Sequence, residues 1–108
     1  MTDETKENYG RFLLYTDIGI FNENLLSVDA IRAIWHREDG PAYTEFDEDG
    51  FIKSEVWYYN NHIHRIGNPA LIKYSRSGQD HEDYYLHGTK YTKEDYFEKL
   101  FNEQIKIL

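Results

Sequence analysis

The chain of 108 residues contains no cysteine and no long apolar run, and each absence excludes a class of protein. Without cysteine there is no disulfide framework, no cysteine-ligated zinc and no thiol nucleophile, which fits a reducing compartment. No run of about 18 apolar residues, the length of a membrane span, occurs. The polar stretch 1–10 lacks the apolar core of a signal peptide, so we expect an intracellular protein.

Basic residues are also scarce, since 12 Lys and Arg stand against 20 Asp and Glu and leave a net charge of −8. Nucleic-acid phosphates and anionic membranes repel a chain of this sign, so we expect neither as a direct partner. The mean hydropathy is only −0.79, yet 17% of the residues are aromatic. Because disordered acidic chains are poor in aromatic residues, the composition predicts one folded domain.

A motif occurs twice in this short chain, at a spacing of 28 residues. Residues 36–42 read His-Arg-Glu-Asp-Gly-Pro-Ala, and residues 64–70 read His-Arg-Ile-Gly-Asn-Pro-Ala. A feature that recurs in every unit usually belongs to the scaffold. We therefore predict a structural role for the motif and turn residues His36, Arg37, Gly40, Pro41, Gly50, His64, Arg65, Pro69, Gly78 and Gly88.

The first unit is predicted to be a β-hairpin followed by a second tight turn. Residues 42–47 alternate between two faces, which is the pattern of a strand. The turn at 48–50 precedes a return strand at 51–59 that is rich in aromatic and β-branched residues. Asn60-Asn61 suits a two-residue primed turn, because asparagine tolerates left-handed backbone angles.

The second unit repeats this order, with strands at 70–74 and 79–86 and a turn at His87-Gly88. The chain then changes period. Thr92 followed by Asp95 is typical of a helix N-terminus, and apolar residues recur at steps of three and four up to Ile107. We expect this amphipathic helix to close the hairpin sheet by covering an end or a face of it.

The N-terminal third is harder to interpret. Residues 11–21 read as one or two strands, and residues 22–24 as a turn. Residues 27–35 are ambiguous: Ser27 suits the N-cap of a short helix, but every second residue from 31 to 35 is apolar, and we favour a strand.

The predicted fold is therefore mainly β with a C-terminal helix, an α+β class of antiparallel β-hairpin repeats stacked in one sheet. It comprises a divergent N-terminal β segment at 1–34, repeat 1 at 35–62, repeat 2 at 63–91 and the helix at 92–108.

The string at 36–42, with the strand, the glycine, the Trp57-Tyr58 pair and the turn that follow it, resembles repeat proteins of tailed bacteriophages and giant DNA viruses, relatives of the MORN type. The ending at 84–96 is similar to that family as well. The resemblance covers roughly residues 35–100 and implies stacked β-hairpins in a viral protein of the host-cell cytoplasm. The second copy departs from the pattern, because Ile-Gly-Asn at 66–68 replaces Glu-Asp-Gly.

The negative charge is concentrated in the first unit. Residues 28–60 hold eight acidic and three basic residues, a net charge of −5, whereas residues 61–91 carry +1. These carboxylates are either merely solvated or a patch that docks a basic protein surface. The predicted acidic patch consists of Glu38, Asp39, Glu45, Asp47, Glu48, Asp49 and Glu55.

The aromatic residues suggest a second kind of contact. Stacked on facing strands they bury area and stabilise the sheet, but 18 aromatic residues are too many for the interior of so small a domain. We expect some of them to be exposed, as tyrosine and tryptophan often are in binding surfaces. The predicted aromatic contacts are Tyr43, Trp57 and Tyr59.

Catalytic signals are weak. The chain has no glycine-rich phosphate loop, no Gly-x-Ser-x-Gly and no His-Glu-x-x-His. The cluster at 36–39 fits an acid–base site less well than a scaffold role, and His62 with His64 lacks a third metal ligand fixed by spacing. We expect no enzyme activity, no metal and no cofactor.

The favoured function is a non-catalytic viral accessory protein that binds a host protein. Its acidic surface would stand where phosphates bind and inhibit a nucleic-acid-handling defence enzyme, as anti-CRISPR, anti-restriction and DNA-mimic proteins do. The alternative is a structural module whose repeats assemble homo-oligomers, such as a homodimer, or hetero-oligomers by edge pairing.

Overall fold

Short antiparallel strands make up most of the molecule, as expected from the alternating apolar pattern of the sequence. The computed structural model describes residues 10–107, without the side chains of 104–107. The strands are β1 (Phe12–Thr16), β2 (Gly19–Asn22), β3 (Tyr43–Phe46), β4 (Ile52–Val56), β5 (Tyr58–Tyr59), β6 (His62–Ile63), β7 (Leu71–Lys73), β8 (His81–Leu86) and β9 (Thr89–Tyr91). The helices are a 3₁₀ helix (Glu23–Leu25), α1 (Val28–Arg32) and α2 (Lys93–Ile107).

Seven strands form one antiparallel sheet in the order β2-β1-β3-β4-β7-β8-β9, and β5 and β6 form a separate ribbon. The predicted α+β class, mainly antiparallel β with a C-terminal helix, is confirmed. In β3, Glu45 lies opposite Ser54 whereas Thr44 lies opposite Glu55. Because neighbouring positions alternate between faces, Glu45 and Glu55 project from opposite sides of the sheet.

The favoured strand at 27–35 is wrong, because this segment contains α1. Ser27 occupies the N-cap position, although its side chain makes no capping bond there. Ala30 is completely buried, and its carbonyl accepts a hydrogen bond from the Trp35 indole at 3.2 Å. Local packing of a small residue thus outweighs the alternating pattern, which survives only as an isolated bridge between Thr16 and Trp35.

The single return strand predicted at 51–59 is also wrong, since the chain leaves the large sheet after Val56. The Trp57 N–H still bonds to the Ala70 carbonyl at 2.8 Å, but the next residue pairs with Ile63 in the ribbon. The carbonyl of Tyr58 accepts the Arg37 N–H at 3.2 Å instead of continuing the ladder. Contacts with the first motif therefore divide the strand.

Two tight turns have the predicted primed geometry. Asn60 and Asn61 have φ values of 48° and 68° between the paired residues Tyr59 and His62, as a type I′ turn requires. His87 and Gly88, with φ values of 49° and 84°, do the same between β8 and β9. Elsewhere, the turns before β4 and β8 each contain a glycine with φ of 87°, Gly50 and Gly78.

The predicted C-terminal helix is present as α2, and its N-cap is confirmed because the Asp95 N–H bonds to Thr92 Oγ1 at 3.2 Å. Tyr96 is fully buried against Tyr84 and Leu86 of β8, where the three form the hydrophobic core cluster. The Tyr96 hydroxyl accepts the Gly67 N–H at 2.8 Å and donates to the Arg65 carbonyl. The helix thus holds the second motif as well as the strand beneath it.

The described part of the chain has no helix that is long and apolar enough to cross a membrane.

Removal of the Tyr96 hydroxyl tests this connection. We expect Tyr96→Phe to lower the free energy of unfolding by about 0.5–1.5 kcal/mol, because it removes two part-buried hydrogen bonds to the backbone of the second motif. Urea unfolding followed by circular dichroism measures the change. Tyr59→Phe is the control, since Tyr59 is exposed, and an equal loss in both variants would contradict the assignment.

Candidate functional site

An arginine of each motif lies over an aromatic ring, that of Tyr15 in β1 or that of Trp57 directly after β4. The Arg37 guanidinium lies 3.9 Å from the centre of the Tyr15 ring, and that of Arg65 lies 3.8 Å from the centre of the Trp57 ring. Each arginine also donates from Nη1 to the carbonyl four residues later, of Pro41 at 3.3 Å and of Pro69 at 3.1 Å. The planar guanidinium can stack and donate at once, which lysine cannot do.

Gly40 allows the first of these loops to close around its arginine. A Cβ at this position would lie 2.8 Å from Arg37 Cζ, closer than side chains approach one another. At Gly40 the predicted structural role of the motif therefore has a physical reason: only a residue without a side chain leaves room for the Arg37 guanidinium.

The histidine of each motif accepts a backbone N–H from one of the primed turns. His36 Nδ1 accepts from Asn60 at 3.1 Å, and His64 Nδ1 accepts from His87 at 2.9 Å. The rings also form a column in which Tyr59 stands 4.5 Å from His36 and 6.0 Å from His64, and His64 stacks on His87 at 4.1 Å. Both motif histidines therefore need an unprotonated Nδ1.

A groove of about 750 Å³ runs between the two motif loops. It brings the predicted acidic residues Glu38 and Asp39 together with the predicted aromatic contacts Trp57 and Tyr59, although the two pairs come from different stretches of the chain. Ile66, which is 58% exposed, adds an apolar surface to the same wall. The groove is therefore the place where predicted charge and predicted aromatic contacts meet.

The two acidic residues of the groove differ in availability. Asp39 accepts from Arg37 Nε at 2.9 Å, and this bond holds the pKa of its carboxyl below the usual value. Glu38 lies 3.7 Å from His36 Nε2, and its side chain is 75% exposed. The Asp39 side chain is exposed as well, at 88%, so the two differ in that Asp39 is paired with an arginine whereas Glu38 is not.

The other predicted acidic residues lie outside this groove. Asp47 and Asp49 accept hydrogen bonds from the Arg76 guanidinium at 2.9 and 2.7 Å. The bond to Arg76 lowers the pKa of the Asp47 carboxyl. Glu48 is exposed at the same turn, beyond the far end of β3. The seven acidic residues are therefore divided among several surfaces.

Glu45 and Glu55 also have partners of their own. Glu45 accepts from Ser54 Oγ at 3.1 Å and lies 3.8 Å from the Lys53 ammonium. Glu55 accepts from the Tyr74 hydroxyl. Burial, and then this hydrogen bond, raise the pKa of Tyr74 to about 12. These contacts stabilise the sheet and occupy carboxylates that the sequence alone counted as free.

Tyr43 is separated from the other two predicted aromatic contacts. It stacks on Phe12 at 6.0 Å between ring centres, and burial raises the pKa of its hydroxyl. Of the three predicted aromatic contacts, only Trp57 and Tyr59 line the groove.

The sequence did not indicate three residues that hold the motifs and turns in place: Tyr15, Tyr96 and Arg76. Tyr15 carries Arg37, and Arg76 joins two turns, because the fold brings together segments 22 and 29 residues apart in the chain. For Tyr15 there was one signal, since Trp57 offers an aromatic ring to the second motif and the first motif needed an equivalent.

The described side chains contain no group of three or more His, Asp or Glu residues that could hold a metal ion. His62 is exposed, whereas His64 uses its Nδ1 for the turn. The two histidines therefore have different surroundings, although only one residue separates them in the chain.

Acid is expected to destabilise the protein through His64. Burial, and then the neighbouring His87, lower the pKa of His64 below its ordinary value of 6.5. The unfolded chain therefore takes up a proton first, and the free energy of unfolding should fall as pH drops below about 6.5 until the folded-state pKa is passed.

Urea unfolding across this pH range checks the expectation. His64→Asn, which offers an oxygen to the His87 N–H without titrating, should give a shallower pH dependence than the natural chain. His62→Asn is the matched control and should keep the natural slope, because His62 is exposed. Identical slopes in all three proteins would contradict the role of His64.

Comparison of the chain with protein-family models, with curated proteins and with solved structures gives no match.

Proposed function

We propose that this chain is a non-catalytic protein-binding module that holds a segment of a partner protein in the groove between its two motif loops. The single observation that carries the proposal is the meeting of Glu38 and Asp39 with Trp57 and Tyr59 in that groove. Aromatic residues beside open carboxylates suit a partner segment with a basic side chain next to an apolar one.

The proposed scaffold is a stack of β-hairpin units of the MORN-like viral type. Its support is that contacts recur 28 residues apart: an arginine on a ring, a proline carbonyl bonded to that arginine and a histidine bonded to a turn. On this scaffold the groove is the space between successive units. The first unit supplies the acidic residues, and the second supplies Ile66 where the motif departs from them.

The charges of the groove favour a basic partner in one respect. Arg37 and Arg65 are both held on rings, and Arg37 is further engaged by Asp39. Glu38, by contrast, projects an exposed carboxylate. With the chain at −8 overall, long-range attraction would accelerate encounters with a positively charged surface.

The partner class that fits is a host protein with a basic nucleic-acid-binding surface, met in the cytoplasm. Occupation of that surface would block nucleic acid and inhibit a defence enzyme. Nucleic acid itself is no partner in this proposal, and neither a membrane nor a cofactor takes part.

A second function, assembly through sheet edges, is favoured by a different observation. Among residues 10–107, no strand pairs with the outer edge of β2.

Two charge-reversal variants distinguish partner binding in the groove from an effect of the total negative charge. The immobilised chain is exposed to an extract of the cell in which it acts, the captured protein is identified by mass spectrometry, and its affinity is measured with purified proteins. Glu38→Lys should weaken binding by about tenfold or more, equivalent to about 1.4 kcal/mol. Glu48→Lys, with the same charge change outside the groove, should bind nearly as well as the natural chain.

Tyr59→Ala should weaken binding as Glu38→Lys does, and rising salt should weaken it further, because the encounter is electrostatic. Equal effects of Glu38→Lys and Glu48→Lys would show that total charge, not the groove, governs binding. If the immobilised chain captures only further copies of itself from the extract, the proposed inhibitor function is contradicted.

A further inference from the structure

The two edges of the seven-stranded sheet are treated differently. At one edge, β9 carries Lys90, and Tyr91 packs into the cluster around Tyr96 of α2. At the other edge, β2 reads Gly-Ile-Phe-Asn, with no charge and no proline. Lysine and proline are among the usual means by which proteins prevent edge pairing, and β2 contains neither of them.

The backbone of Ile20 points to this edge. Thr16 and Gly19 close the two-residue hairpin, so the next pair, Tyr15 and Ile20, turns its N–H and C=O groups away from one another. Tyr15 confirms this alternation, because it bonds on the β3 side to the Ala42 carbonyl at 2.7 Å and to the His36 N–H at 3.2 Å. The N–H and C=O of Ile20 are therefore directed outward.

Exposed aliphatic side chains occur on β2 and in the chain segments before and after it. Seven aliphatic side chains between residues 18 and 34 are at least 40% exposed: Ile18, Ile20, Leu25, Leu26, Val28, Ile31 and Ile34. Ile18 and Ile34 line one shallow depression that also contains charged residues of the turn and of α1, namely Asp17, Asp29 and Arg32. Of the seven aliphatic residues, Ile20 lies on β2 itself and Ile18 in the turn that leads into it, so the edge that stays unpaired among residues 10–107 offers apolar side chains to an incoming strand.

We propose that two copies of this chain pair through antiparallel β2 strands about a two-fold axis beside Ile20, which joins their sheets into one. In this register the N–H and C=O of Ile20 in each copy bond to those of Ile20 in the other. A register centred on Phe21 would need the Asn22 carbonyl, which the N-cap position directs into the 3₁₀ helix. The edge thus favours one symmetric pairing.

A second copy fits this edge better than an unrelated chain does, for two reasons. An isologous interface must be complementary to itself, and an uncharged apolar strand meets that condition whereas a charged patch does not. The residues of β2 also carry no charge that would oppose the approach of an identical strand, although the two chains, at −8 each, repel one another at longer range. Added salt should therefore strengthen this association.

A single introduced cysteine tests the axis directly, because the natural chain has none. Directly paired residues of antiparallel strands lie within disulfide reach, at a Cα separation of about 5.5 Å. Under mild oxidation, Ile20→Cys should form a disulfide-linked dimer in high yield. Phe101→Cys, at a position on α2 that is 65% exposed against 54% for Ile20, should stay largely monomeric. Equal yields from the two variants, or no dimer from Ile20→Cys, would overturn the proposal.

Sedimentation velocity of the natural chain provides the second measurement. We expect a concentration-dependent dimer of twice the 13.0 kDa mass that is favoured by salt. Ile20→Lys should abolish it, since two ammonium groups would face each other across the axis, whereas Phe101→Lys should not. A natural chain that is monomeric at every concentration and salt would refute the pairing.

The outcomes are independent of the groove. Glu38→Lys should leave the dimer unchanged, and Ile20→Lys should leave capture of a basic partner unchanged. Salt acts in opposite directions on the two associations, so failure of one proposal is distinguishable from failure of the other.

Discussion

The stacking of Arg37 on Tyr15 and of Arg65 on Trp57 is the contact on which the rest of this structure depends. A sheet of short strands leaves two faces to cover, and few large apolar side chains are fully buried in the part of the chain that the structure describes. A guanidinium that lies on a ring and donates to a proline carbonyl anchors a polar loop to the sheet. Loops thereby do the covering that a second sheet or a layer of helices does in larger folds.

The same anchoring creates the groove. Once each loop is fastened by its arginine and its histidine, the space between the loops is bounded by side chains whose positions are already determined. Two members of the ring column, Tyr59 and His64, line the groove, so residues that stabilise the loops also shape the surface that a partner would meet. A binding surface held in advance loses little conformational entropy on association.

Sequence patterns predicted best where local chemistry decides. The primed turns at 60–61 and 87–88 and the N-cap at Thr92 depend on a few adjacent residues, and they formed as expected. The segment 27–35 and the long strand 51–59 did not, because burial of Ala30 and the bond from Arg37 to the Tyr58 carbonyl come from residues elsewhere. The periodicity of apolar residues within a segment carries no information about contacts with residues from another part of the chain.

The sequence by itself determined the antiparallel class, the C-terminal helix, the turn positions and the recurrence of one motif, since each follows from local propensity or from letters at a constant spacing. Only the tertiary structure decided which charges were free. Seven carboxylates that look alike in the sequence separate into five that are held by Arg37, Arg76, Lys53 or Tyr74 and two that are exposed, Glu38 beside the groove and Glu48 outside it. The reason is physical: a carboxylate's role depends on which cation or hydroxyl the fold places within hydrogen-bond distance.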